Sequence, residues 1–365
     1  MGLFSKFFKS NEVTRQEANL KDVEAQIDDS FSESVDCKLD ISPLYSTPVY
    51  EGLLVGEIIL LDWFNHKKDS ADVPEYFTYY GINWTNSLPK LLDRGFLRYS
   101  TNSEKLPTIL AKDLKDILLN NGQKKSGKKD ELVQRIFDNL DESAYMKYVD
   151  FNVFTLTETG TKIVEHCQIL LWSHKHYQNN ALLNPGIMAN YIDDSRSNNA
   201  IAMDILNKEF ERTVNAKHLI KVTYPLLNRI DLKLKLGEIN SAMDDLLIEN
   251  LITFSGSTDH NLDSYSFSNK GRFINVQHNL KLSDDDLFIR AGEIFDIFDN
   301  RIPGNKLYND KQEYLNALKV LLNGTMAEFN QLAESLTSRY YNTYEPDFIT
   351  VLPDNIDPMT GRTIE

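Results

Sequence analysis

Four lysines within six residues, Lys124, Lys125, Lys128 and Lys129, enclose the step Ser126-Gly127. Side chains of this type and spacing do electrostatic chemistry: they neutralise phosphate groups, and the counterions released make such contacts salt-dependent. Apolar residues recur with helical spacing on both sides, Leu110, Leu114, Ile117 and Leu118 before the cluster and Leu132, Val133, Ile136 and Phe137 after it. The pattern predicts two short amphipathic helices, with Gly122 ending the first and Ser126-Gly127 preceding the second. The lysines then surround a helix N-terminus, where free N–H groups and the positive dipole end favour a phosphate backbone. Read without its surroundings, the same cluster is a solvated loop.

The run from Thr108 to Leu140 resembles the SAP motif, a DNA-binding helix-extended-helix module of about 35 residues. The positions that carry the resemblance are Leu114, Leu118, Gly122, Ser126, Gly127, Lys128, Lys129, Leu132 and Arg135. Gln123 and Lys124 depart from it, standing where such motifs often carry an apolar residue after the glycine. The resemblance implies DNA as partner, bound mainly through its phosphates by Lys124, Lys125, Ser126, Gly127, Lys128, Lys129 and Arg135. Sequence preference would be weak, with a leaning to narrow A·T-rich minor grooves.

Internal comparison indicates what must position this hairpin. Ser87–Leu97 aligns with Ala242–Ile252 at an offset of 155, and Phe154–Val164 with Tyr265–Asn275 at an offset of 111. The first pair reads as amphipathic helices running into strands, the second as alternating strands followed by a glycine turn and a helix. Helix, turn, helix, strand and return strand resemble the winged-helix fold. In the first copy the helices would be Leu53–Asn65, Pro74–Tyr80 and Asn83–Arg94, with Gly81 and Gly95 as C-caps. In the second they would be His218–Ile230, a short helix or turn near Leu232–Leu236, and Glu238–Asn250. The hairpin fills the long gap before the first return strand.

The fold class expected is therefore mainly α with small β wings. It comprises a flexible acidic arm over 1–50, a winged-helix-like domain over 51–178 with the SAP-like insert at 106–141, and a second such domain over 179–280. A helical C-terminal region over 281–344 and an extended tail over 345–365 complete it. In the first recognition helix Asn83, Thr85, Asn86, Ser87, Lys90 and Arg94 are expected at the surface, as types that bond base edges or phosphates; the alternative packs Trp84 and Leu88 inward and leaves Lys90 solvated. The second copy carries Glu238, Asn240, Asp244, Asp245 and Glu249, and its clustered carboxylates would repel DNA and favour a protein partner or self-association. Long amphipathic helices are expected over Asp284–Asn300 and Asp310–Tyr340, the latter packing in the core or forming a dimer seam.

Catalytic patterns are not evident: the sequence has no nucleotide-binding glycine loop, HExxH or nucleophile elbow. His166, Cys167, His174 and His176 fall on one expected helical stretch but offer too few ligands for a metal. Asp193-Asp194 and Asp284–Asp286 read as helix N-cap regions. No enzyme, cofactor or metal is expected.

The 365 residues carry 54 acidic against 39 basic side chains, a net charge of −15, which excludes a protein that coats nucleic acid over its whole surface. Between Trp84 and Val149, however, 12 basic residues face nine acidic ones. With only Cys37 and Cys167 present, a disulfide framework is excluded and a reducing cytoplasm is the expected compartment. No apolar run approaches the length of a membrane span. Met1–Ser10, with Leu3, Phe4, Phe7 and Phe8, is too short for a signal peptide and reads as a frayed leader, with docking on a membrane surface or partner as the alternative. The sequence thus points to a DNA-binding protein, bacterial or phage, with regulatory, replication or maintenance roles. Its rival is an interaction scaffold whose winged helices and hairpin bind proteins.

Overall fold

The computed structural model describes residues 42–217, 219–257 and 270–343. The expected acidic arm before residue 42, the tail after 343 and the second return strand near Tyr265–Ser268 lie outside them. The described chain is mainly helical with one small sheet, and divides into two compact units, the first running to Ile201 and the second from Ala202 onward. The division falls at 201/202, where 178/179 was expected.

In the first unit, helix α1 spans Ser42–Ser46 and helix α2 Val55–Phe64, followed by a 3-10 helix over Glu75–Tyr80 and helix α3 over Trp84–Asp93. Val55, Ile58, Ile59, Leu60, Leu61 and Phe64 are all buried, so α2 is enclosed on nearly every side and forms the axis of this core. Gly81 and Gly95 end the 3-10 helix and α3 at φ +67° and +68°, a left-handed conformation in which a Cβ is strained. Strand β1, Leu97–Tyr99, pairs antiparallel with β2, Phe154–Leu156, in the register Leu97↔Leu156, Arg98↔Thr155 and Tyr99↔Phe154. The far edge of β2 is covered as well: the Phe154 N–H donates to Lys67 O at 2.9 Å, and the His66 N–H to Phe154 O at 2.9 Å. Between the strands lie α4 (Asn102–Lys105), α5 (Ala111–Asn120) and α6 (Lys129–Asn139), the expected insertion. After β2 come α7 (Glu158–His166), α8 (Gln168–Tyr177) and α9 (Pro185–Met188).

Helix α10, Asn198–Asn215, leads into the second unit, where α11 spans Leu219–Lys235, α12 Ile239–Ser255, α13 Lys270–Leu280, α14 Asp284–Phe298, α15 Lys311–Asn323 and α16 Met326–Thr343. Several expectations are corrected here. No break occurs near Leu232–Leu236, because α11 continues to Lys235 and turns only at Gly237, φ +74°. Leu251 and Ile252 are not the start of a strand but lie in the last turns of α12. Gly271 sits inside α13 and not in a preceding turn. One core joins the elements expected as a second domain and a separate C-terminal region: Leu226, Leu247 and Phe273 share it with Leu287, Leu318 and Phe329. The single helix expected over Asp310–Tyr340 breaks at Gly324. There Thr325 starts a new helix with a reciprocal cap, its N–H donating to Glu328 Oε2 at 2.7 Å and its Oγ1 accepting from the Glu328 N–H at 3.3 Å.

Candidate nucleic-acid interface

The inserted hairpin has a core of its own. Leu114, Ile117 and Leu118 on α5 meet Leu132 and Ile136 on α6, and Leu106, Ile109, Tyr145 and Val149 close the cluster. The module therefore runs past residue 141, since Tyr145 and Val149 complete it. Leu110 and Phe137, expected on the apolar faces, are instead 71% and 63% exposed; Leu110 is the residue before α5 and Phe137 lies off the face that carries Leu132 and Ile136. Helix α5 ends in a pair of reversed bonds, Gly122 N–H to Leu119 O at 3.1 Å and Gln123 N–H to Leu118 O at 2.8 Å, with Gly122 at φ +69°. These two bonds fix the exit of the chain where Gln123 replaces the usual apolar residue.

Between Gln123 and Lys128 the chain is held by a side chain. Arg135, half-buried on α6, donates from Nη1 to Lys124 O at 2.5 Å and to Ser126 O at 3.0 Å. Gly127 takes φ +136°, and a Cβ there would meet Glu131 Oε2 at 2.5 Å. That carboxylate accepts the Lys128 N–H at 3.2 Å, so one of the expected free amides at the start of α6 is already occupied. Sequence reasoning missed Glu131, whose signal is the acceptor three residues after the cap position. Lys124, Lys125, Lys128 and Lys129 are exposed, and among the described residues their ammonium groups have no hydrogen-bond or ion-pair partner.

The α3 face is differently employed. Asn83 caps the helix, its Oδ1 accepting from the Thr85 N–H at 3.0 Å and from Thr85 Oγ1 at 2.6 Å. Ser87, expected at the surface, is buried and donates to Glu57 Oε1 at 3.3 Å. Lys90 Nζ lies 2.8 and 3.0 Å from the two oxygens of Glu57, a carboxylate on α2 that is 3% exposed and also accepts the Leu54 N–H. Arg94 donates to Glu51 O at 2.5 Å and stacks over the Phe96 ring. Asn86 remains exposed with no side-chain partner among the described residues. Trp84 is partly exposed at the start of α3.

Other cations of the stretch are also engaged. Arg98 forks onto Glu104 at 2.8 and 2.6 Å, and this bond holds the Glu104 carboxyl down at about 2. Lys105 is buried and donates to Val149 O at 3.1 Å. Lys112 and Lys115 on α5 are exposed and, like the four turn lysines, have no partner among the described residues, so the unpartnered positive charge lies on the hairpin, four of these six lysines being on its turn.

The carboxylates expected as an exposed face on α12 are sorted by depth. Asp245 is 1% exposed and bound by Arg229 and Lys233 at 2.5 and 2.6 Å. Glu249 is buried beside Arg272 and Tyr314, and desolvation pushes its carboxyl up to about 7. Asp244 pairs with Arg290 at 2.7 Å, leaving Glu238 and Asn240 at the surface. The reason is packing: α12 is covered by α11, α13 and α14, so little of it faces water.

The histidines and Cys167 do not converge. The helix breaks at Cys167, which is buried and whose thiol is pushed up to about 12. His166 Nδ1 is 2.6 Å from Asp194 Oδ2, in a shallow groove with Lys162, Asp193 and Arg196, whereas His174 Nδ1 meets Tyr80 Oη at 2.5 Å. Among the described residues no group of three or more metal-binding side chains is gathered. No helix among them is long and apolar enough to cross a membrane. Comparisons with protein-family models, with curated proteins and with solved structures return no match for this chain.

Proposed function

We propose that this chain is a DNA-binding protein, non-enzymatic in its own action, that holds the phosphate backbone through the SAP-like turn Lys124–Lys129. The observation that carries this reading is the set of four exposed, unpartnered lysines on a turn shaped by Arg135, within a module that has its own core. The order of helices and strands around the insertion supports a winged-helix-like frame for it. Because Lys90 and Arg94 already hold Glu57 and Glu51, the turn is assigned the main contact and α3 a supporting one through Asn86. Binding is weakly sequence-dependent, since ammonium groups read charge and not base edges. A cytoplasmic role in regulating, replicating or maintaining a bacterial or phage replicon fits such a protein by fold analogy.

The test is anisotropy of a labelled mixed-sequence duplex with the full chain, over roughly 50 to 200 mM salt. Changing all four lysines to Ala is expected to lower the slope of log affinity against log salt by about three and a half units, at roughly 0.9 per phosphate contact. An unchanged slope removes the turn from the interface.

A second reading, an interaction scaffold, is favoured by one feature: Leu110, Leu119, Phe137 and Met146 are all exposed on this one small module. Surface clusters of large apolar side chains mark protein-binding sites. Absence of any duplex binding at low salt would select it.

A further inference from the structure

The resemblance that singled out Arg135 treats it as one of the phosphate-binding cations, and its bonding points to another role. Two of its five N–H groups, both on Nη1, are spent, one on Lys124 O and one on Ser126 O, while Nε and Nη2 have no partner among the described residues. Those carbonyls belong to a segment in which, among the described residues, positions 124–127 make no backbone–backbone hydrogen bond. The flanking bonds, Gln123 N–H to Leu118 O and Lys128 N–H to Glu131 Oε2, fix where the segment leaves α5 and enters α6. Among the described residues, Arg135 is the side chain that bonds to what lies between them. A free four-residue loop that bears Lys124 and Lys125 and runs into Lys128 and Lys129 would spread under their mutual repulsion and lose conformational entropy on binding.

We propose that Arg135 is a positioning residue: it holds the carbonyls of Lys124 and Ser126 so that the turn is set before the phosphate backbone arrives, and it touches no phosphate itself. The DNA part of this proposal rests on the function proposed above; the ordering of the turn does not. Pre-organisation of this kind raises affinity by removing an ordering cost and adds no released counterion. A direct phosphate ligand would instead add about one unit to the salt slope.

The two roles separate in Arg135→Met, which keeps an apolar stem on α6 and removes the N–H donors. Two measurements on the full chain decide: 15N relaxation of the amides of 124–128 without DNA, and the salt slope on mixed-sequence duplex. Arg135→Met is expected to increase fast backbone motion over 124–128, and to weaken duplex binding by about fivefold with the slope unchanged. Lys124→Ala serves as the comparator, lowering the slope by about one unit without loosening the turn. Unchanged motion in Arg135→Met, or a slope that falls by about one unit as in Lys124→Ala, overturns the proposal. Should the unmodified chain bind no duplex, the proposed function fails, while the relaxation measurement still decides whether Arg135 orders the turn.

Discussion

Lys90 and Lys128 are exposed lysines of the same basic stretch, and they are put to opposite uses. Lys90 neutralises Glu57, a carboxylate placed inside the core between α2 and α3; Lys128 has no partner for its ammonium among the described residues. Removing one member of a buried pair leaves an uncompensated charge, which costs about 3 to 5 kcal/mol when both are buried and less when one reaches water. Lys90 is partly solvated, so Lys90→Ala is expected to cost about 2 kcal/mol. Thermal unfolding followed by tryptophan fluorescence checks this, because Trp63, Trp84 and Trp172 all lie in the first unit. An unchanged midpoint would mean that the pair contributes nothing. Charge counting along the sequence cannot separate two such lysines, since the Glu57 that occupies one of them lies on another helix.

At the scale of elements, Gly160 decides how closely α7 approaches the start of β1. Thr157 caps α7, its Oγ1 accepting from the Gly160 N–H at 3.1 Å and donating to Gly95 O at 2.7 Å. The helix is drawn so near that a Cβ on residue 160 would lie 2.1 Å from Phe96 O. Gly160→Ala must push helix and strand apart, at about 2 to 3 kcal/mol, the range of overpacked cores. Urea unfolding read by tryptophan fluorescence should show an earlier transition; a midpoint like the parent's would mean that the approach relaxes freely. Gly271, its counterpart at the offset of 111, has open space where its Cβ would be. The alternation of Phe154–Leu156 and the T-x-x-G start of α7 were legible, because strand period and cap chemistry are local. The likeness to Tyr265–Asn275 misled, because the same apolar spacing and glycine serve a close helix–strand contact in one place and a solvent-facing helix turn in the other.

Over the molecule as a whole, the net charge of −15 is distributed by depth as well as by position. Part of the acidity read as a DNA-repelling face is interior, and Glu249 is the clearest case. Burial outweighs the neighbouring Arg272 charge and raises its carboxyl to about 7. A carboxyl raised in the folded state binds its proton more tightly than in the unfolded chain, so folding gains from it fully below its ordinary value and loses that gain as pH rises through about 7. Glu249→Gln is expected to flatten the pH dependence of stability across this window and to stabilise the second unit above it by roughly 3 kcal/mol. Circular dichroism melts of both chains at acidic and mildly alkaline pH measure the difference. Parallel curves would mean that Glu249 stays ionised in the fold.

By itself the sequence determined the hairpin and its cationic turn. Leu114, Leu118, Leu132 and the Gly122 and Gly127 punctuation are local instructions, and a module with its own small core follows them with little help from elsewhere. It likewise determined α2, α3 and the strand pair that frames the insertion. Only the tertiary structure decided which charges are free: among the described residues Lys90, Arg94, Arg98 and Arg135 are bonded, the four lysines of the turn and Lys112 and Lys115 on α5 are not, and Asp245 and Glu249 are interior. The physical reason is that helix formation depends on neighbours within a turn or two of chain, whereas the state of a charged side chain depends on burial and on partners brought near by packing.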